Sequence, residues 1–324
     1  MNGKSDFLKG PWVAGAIVVF LAAAALWSAV NLLKEEEPKP LYRISVVVED
    51  SGSDRWTAFR LGVDQAAREY GMDVTFAATG SFERAEDQKN LIGQEVLSGT
   101  QALILSAFDS EETITLLEGV PSGMPVILAE TDGIRAEGPD LAAVAPPGRD
   151  MGRDLGEMLL GAGIEEPSVA VITRARERYL EMDMLEGLSE TIRSAGGSLL
   201  VLSQGEGDPE TLVSLARGQD LIAVLDDALL VRTAALMEES GLKSGKLYGI
   251  GCSPAAVSEL DRGTVSGMVI PNEFTMGYQS VALLYRRMSN DLPALGDLEV
   301  GYACVKSENV HDPDVEKLLF PLVQ

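Results

Sequence analysis

The sequence predicts an α/β protein with two successive parallel sheets, preceded by one N-terminal transmembrane helix. Three observations predict it. Short β-rich apolar runs alternate with segments of helical period, which is the mark of βαβ units. The alternation comes in two consecutive sets, and residues 10–33 carry no charge at all.

The uncharged run comes first in the chain. At the helical rise it reaches about 36 Å, enough for a hydrocarbon core. Trp12 and Trp27 lie toward its ends, where amphipathic rings favour the interface. Lys4 and Lys9 precede it, whereas Lys34 is followed at once by Glu35, Glu36 and Glu37, so the positive bias puts residues 1–9 in the cytoplasm and the rest outside. A cleaved signal peptide, cut near the small residues Ala22 to Ala25, is the alternative, although a signal h-region is shorter. Either way the folded part is exported, which makes the expected location a single-pass membrane anchor with an extracytoplasmic domain. No cysteine stands directly after the segment, the first being Cys252, so lipid anchoring through one is not expected. Residues 34–40, with two prolines and five charges, form a linker.

The first set of strands is expected at Arg43 to Val48, Met72 to Phe76, Ala102 to Ser106, Pro125 to Ala129 and Leu141 to Ala145. The second is expected at Val169 to Thr173, Leu199 to Ser203, Leu221 to Leu225, Leu247 to Gly251 and Gly267 to Ile270. Between them lie amphipathic helices, as with Phe59, Val63, Ala66, Ala67 and Tyr70 on one face.

The chemistry that is missing narrows the function. A net charge of −24 would repel a phosphate backbone, so no nucleic acid is expected as partner. The single histidine, His311, sits in the C-terminal tail, and no nucleophile elbow accompanies it. There is no phosphate-binding G-x-x-x-x-G-K-[ST] loop, and Gly249-Ile-Gly251 lacks the third glycine of a dinucleotide fingerprint. No enzyme activity, metal or cofactor is expected. Asp226-Asp227 reads as a helix-start pair that caps and complements the dipole, or as a ligand acid. Cys252 and Cys304 are read as small hydrophobes or as a pair, and the choice stays open.

Several segments in order resemble a known family. Ile44-Ser-Val-Val-Val-Glu-Asp50, the loop from Ser51 to Gly62 and Ala66-Ala67-Arg-Glu-Tyr-Gly71 resemble the opening of the type I periplasmic binding proteins that serve sugar ABC transporters. The resemblance continues through residues 102–110, 123–130, 186–188, 222–227 and 272–278, from about Leu41 to Lys306. It implies two Rossmann-like lobes joined by a hinge, with lobe 1 at 41–145 plus 272–300 and lobe 2 at 146–271 plus 301–324. Crossings are expected near Ala145, Pro271 and Gly301.

The resemblance further implies a small polar ligand, a sugar or polyol, held between the lobes and passed to an ABC permease. The alternative is a sensing ectodomain that signals to a membrane partner. Its first-loop contacts fall on Ser53, Asp54, Arg55 and Trp56, and Trp56 fits core packing equally well. Ser106 and Asp109 follow the third strand, where Asp109 also reads as an N-cap, and Glu130 takes the place of the acid after the fourth. In the second lobe the match is Asp226, and Asn272 lies at or beside another polar contact at the hinge. The family's ribose binders carry an Arg at the position of Met182, an Asp at that of Gly251, and an aromatic and an Arg around Gly207 to Glu210, all absent here. Substitute donors are sought among Arg174, Arg176 and Arg178, with Arg176 as the candidate contact, and ribose itself is not the expected ligand.

Overall fold

The apolar runs of the first set become β1 (Arg43–Val47), β2 (Asp73–Phe76), β3 (Ala102–Leu105), β4 (Val126–Ala129) and β5 (Leu141–Ala145). Those of the second become β6 (Ser168–Thr173), β7 (Ser198–Ser203), β8 (Leu221–Val224), β9 (Leu247–Ile250) and β10 (Val265–Pro271). The structure, a computed structural model, describes residues 19–24, 42–82, 84–107, 116–130, 138–174, 178–241, 245–313 and 315. Interior strands such as β3, β4, β8 and β9 are buried along their whole length, as strands covered on both faces must be.

Two short strands escaped the sequence pattern: β11 (Leu298–Glu299) and β12 (Tyr302–Lys306). The two residues of β11 are too few to show a period, and β12 is buried only at Val305. One sheet runs β11-β5-β4-β3-β1-β2 and is parallel throughout; the other runs β12-β10-β9-β8-β6-β7. In the second sheet β12 pairs antiparallel with β10, which corrects the expectation of purely parallel sheets. The chain reaches β12 directly from β11 across Val300 and Gly301, with no crossover helix, so it enters from the opposite end.

Three segments cross between the sheets: β5 leads into the helix Gly148–Leu160, β10 into the helix Glu273–Met288, and β11 into β12. The crossings are bonded to each other. Val300 N donates to Ala145 O (3.0 Å) and Asn272 N to Gly301 O (2.9 Å).

Each sheet is covered by a tightly packed helix pair. On the first, α1 (Thr57–Tyr70) lies against α8 (Glu273–Met288); on the second, α3 (Gly148–Leu160) lies against α4 (Tyr179–Ser194). Glycine sets the approach in both. A Cβ on Gly62 would overlap the carbonyl oxygen of Phe274, and one on Gly277 that of Phe59. Gly152 and Gly187 stand in the same relation to the carbonyls of Met184 and Arg149. The remaining helices of the described residues are α2 (Ala85–Leu97), α5 (Pro209–Ala216), α6 (Asp227–Glu239) and α7 (Pro254–Asp261).

Of the uncharged run at 10–33 only residues 19–24 are described; they are helical and exposed, and they belong to a separate unit from the fold, which begins at Tyr42. Among the described residues no helix is long and apolar enough to cross a membrane.

Candidate functional site

A cavity with about 670 Å³ of empty space lies between the two sheets. Its walls come from loops at the carboxyl ends of strands, where backbone groups and side chains converge in open α/β sheets. Ser106 follows β3 and Glu130 follows β4; Arg174 follows β6, Asp226 follows β8, and Gly251 and Cys252 follow β9.

On the first-lobe side the central group is Arg55, in the 3-10 turn Asp54–Trp56. Its guanidinium pairs with Glu130, lies 4.0 Å over the Trp56 ring and comes within 3.9 Å of Glu273. Glu130 also accepts from Ser106 Oγ (3.1 Å) and holds a backbone φ of 58°. That left-handed conformation costs a residue with a Cβ, and such costs gather at functional sites. Glu273, at the start of α8, is 2% exposed. Burial pushes its carboxyl up to about 7, against the pull of Arg55 and with help from Asp227.

The second-lobe side carries Arg174 and Arg178. Arg174 Nε donates to Asp226 Oδ2 (2.5 Å), and the other oxygen of Asp226 caps α6 by accepting from Leu229 N (2.9 Å). Burial alone would raise the Asp226 carboxyl, but Arg174 and the cap outweigh it and hold it below the usual range. Glu181, in the first turn of α4, accepts from Arg174 N (2.9 Å), yet burial pushes it up to about 7. Arg178 is brought down to about 10 by burial and by the neighbouring charges of Arg174 and Arg55.

One acid joins the two sides. Glu49, just after β1, accepts from Arg178 Nη2 (2.7 Å), and Arg174 lies 3.8 Å away. Cys252 Sγ also approaches Arg55 O, at 3.7 Å. The thiol is pushed well above its ordinary value by burial and by Glu273 and Asp227, so it stays neutral. Both cysteines are free, which closes the question of a bond between them.

Of the residues singled out in the sequence, Arg55, Ser106, Glu130, Asp226 and the substitute donors Arg174 and Arg178 line this one cavity. Ser53 and Asp54 stand exposed in the adjoining mouth. Trp56 is 2% exposed, packs edge-on to Phe59 and donates its indole N–H to Glu49 O (2.9 Å), so it serves the first-lobe core rather than covering the cavity. Asn272 does not line the cavity either: its side chain caps α8 by accepting from Thr275 N (2.9 Å). Asp109 and Arg176 lie outside the described residues. His311 is exposed and pairs with Asp261 at 3.0 Å.

Sequence reasoning passed over Glu49, Glu181 and Glu273, and left Asp227 open between a helix-start acid and a ligand acid. Glu273 is the neighbour of the residue it chose. An N-cap side chain turns back to its own helix, so the next residue is the one that faces the cavity. Asp227 has a similar history. Its Oδ1 accepts from Cys252 N (2.8 Å) and Ser253 N (2.9 Å), and a Cβ on Gly251 would come within 3.0 Å of that same oxygen. The acid missing from position 251 has its space taken by an acid from the neighbouring helix.

Comparison with known proteins gives a consistent result. The profile of the periplasmic binding protein domain family matches residues 44–291. Among solved structures, a glucose-galactose binding protein from Geobacillus stearothermophilus superposes with a TM-score of 0.73 at 17% identity, covering 84% of this chain and 100% of its own. An ABC transporter solute binding protein from Agrobacterium vitis, bound with α-D-tagatopyranose, gives 0.76 at 15% identity, covering 86% and 99%. Another from Agrobacterium vitis, with bound D-fucose, gives 0.74 at 17%, covering 86% and 100%. No curated protein sequence matches.

Proposed function

Because the chain belongs to the periplasmic binding protein domain family, we propose that it is an extracytoplasmic solute-binding protein that closes its lobes over a sugar or polyol and delivers it to an ABC-type importer. The protein binds rather than catalyses, as the members of this fold described above do. The observation that carries the reading is the lining of the cleft: at the carboxyl ends of both sheets, guanidinium, carboxylate and hydroxyl groups converge over an apolar floor of Met151, Met184, Leu225 and Ile250. Polyols need such a mixture, because each hydroxyl both donates and accepts. Similar structures with bound tagatose and fucose support the same class.

Three bonded crossings form the hinge, with lobes divided at 145/146, 271/272 and 300/301, and the Arg178 to Glu49 pair is a contact made on closure. Arg55, Ser106, Glu130 and Asp226 are the ligand contacts inside, with Ser53 and Asp54 at the mouth. The uncharged run 10–33 tethers the domain to the membrane next to its importer. A thermal-shift screen of the full chain in detergent against galactose, fucose, tagatose, arabinose and sorbitol tests the reading. A ligand at a hundred times its Kd stabilises by about 2.7 kcal/mol, several degrees in Tm. A flat response to the whole panel would sink it.

A further inference from the structure

We propose that the ligand is an aminated polyol, with its ammonium received by Glu273 and a hydroxyl oxygen by Arg178; this rests on the cavity being the ligand site argued above.

The charges on the cavity wall are unequal. Three guanidiniums, Arg55, Arg174 and Arg178, face five carboxyls: Glu130, Glu181, Asp226, Asp227 and Glu273. Each guanidinium is already engaged by an acid: Arg55 by Glu130, Arg174 by Asp226, and Arg178 by Glu49. An anionic ligand would have to break one of these pairs and would leave a carboxylate buried without its partner, which is costly. The unspent capacity of the cavity is for positive charge.

The carboxyls left over are not equivalent. Asp227 spends Oδ1 on two backbone N–H groups, and Glu181 spends Oε1 on Arg174 N. Glu273 has no such use. Its Oε2 is buried without a hydrogen-bond partner among the described residues, and its other oxygen is 3.9 Å from an Arg55 already committed to Glu130. A buried, unsatisfied acceptor costs free energy until something donates to it. On the opposite wall the Nε of Arg178 is a buried donor with no acceptor among the described residues. A ligand with a donor cation at one end and hydroxyl oxygens at the other satisfies both.

A hydroxyl could donate to Glu273, but it would leave the charge imbalance in place. The groups facing this carboxyl are Arg55 from the 3-10 turn, Asp227 from α6 and Cys252 after β9, one cation already engaged by Glu130 against one acid and a neutral thiol. In the empty cavity Glu273 therefore holds its proton up to about pH 7. An ammonium replaces that proton, so binding of an amine above neutral pH pairs two full charges out of water.

Isothermal titration of the full chain in detergent tests this with matched pairs: galactosamine against galactose, glucosamine against glucose, and glucamine against sorbitol. At pH 7.5 at least one amine should bind tenfold or more tighter than its hydroxyl partner. Its N-acetyl form, which loses the charge, should lose that advantage. Glu273→Gln should also erase the difference, and the N-acetyl comparison decides the matter if that variant does not fold. If the neutral partners bind as tightly as every amine, the inference falls while the sugar reading stands. If no member of any pair binds, both fall.

Discussion

The two lobes are built to one plan but their cavity walls are not. Strand for strand the sheets correspond, β1-β2-β3-β4-β5-β11 matching β6-β7-β8-β9-β10-β12, and each is covered by the helix after its first strand packed on the helix after a crossing. The first wall holds one arginine, engaged within its own lobe by Glu130; the second holds two, one engaged at home by Asp226 and one reaching across to Glu49. The comparison teaches that scaffold and site are separable. Backbone packing is duplicated, whereas charge placement differs, so the second lobe supplies the arginine that reaches across and the first supplies the carboxyl whose Oε2 has no hydrogen-bond partner among the described residues.

The scaffold half of this comparison is the easiest to break. Gly62→Ala in the first lobe and Gly152→Ala in the second each drive a methyl into a backbone carbonyl of the partner helix, which no rotamer can relieve. Each should destabilise by at least about 3 kcal/mol, beyond the usual overpacking penalty. Urea denaturation would show it. A loss in only one of the two would mean that the helix pairs are not equivalent.

The next effect is in pH dependence, where the lobes contribute one group each. Glu273 and Glu181 keep their protons to about 7 in the fold, against a reference value of 4.5. The folded chain therefore binds more protons than the unfolded one between these values, and stability falls as pH rises through that window and levels off above it. The upper bound is about 3 kcal/mol for each group. Glu273→Gln should raise Tm at pH 8 and leave it little changed at pH 4.5. Glu181→Gln should do the same by a smaller amount, because Arg174 N already donates to that carboxyl. Equal gains would erase the distinction between the walls.

The smallest expected effect concerns the arginine that reaches across. Glu49→Gln removes the negative charge facing Arg178 and Arg174 while keeping an acceptor, so apparent ligand affinity should drop about tenfold, worth about 1.4 kcal/mol. Small-angle scattering of the unliganded protein should show a more open form. An unchanged scattering curve and affinity would assign closure to other contacts.

Much of the fold could be read from the sequence because parallel strands buried on both faces appear as continuous apolar runs, as at Ala102 to Leu105 and Leu221 to Val224. The site was legible only in part. Arg55, Ser106, Glu130 and Asp226 sit at strand ends or in the first loop, positions that the resemblance to the sugar-binding family picked out. Trp56 and Asn272 occupy equally suggestive positions, yet one ring turned into the core and one side chain was taken by a helix cap. Whether a residue in a first helical turn faces a cavity depends on how that helix lies against the opposite lobe, and local pattern carries no record of it.

The sequence by itself determined the α/β class, the two successive sets of strands and the shortage of catalytic groups, because these follow from periodicity and composition. Only the tertiary structure decided the antiparallel return of β12, the pairing of Glu49 with an arginine more than a hundred residues away, and the isolation of Glu273. Those depend on which charges are brought together out of water, and electrostatic partners across a cleft are set by the packing of the two lobes rather than by any neighbour in the chain.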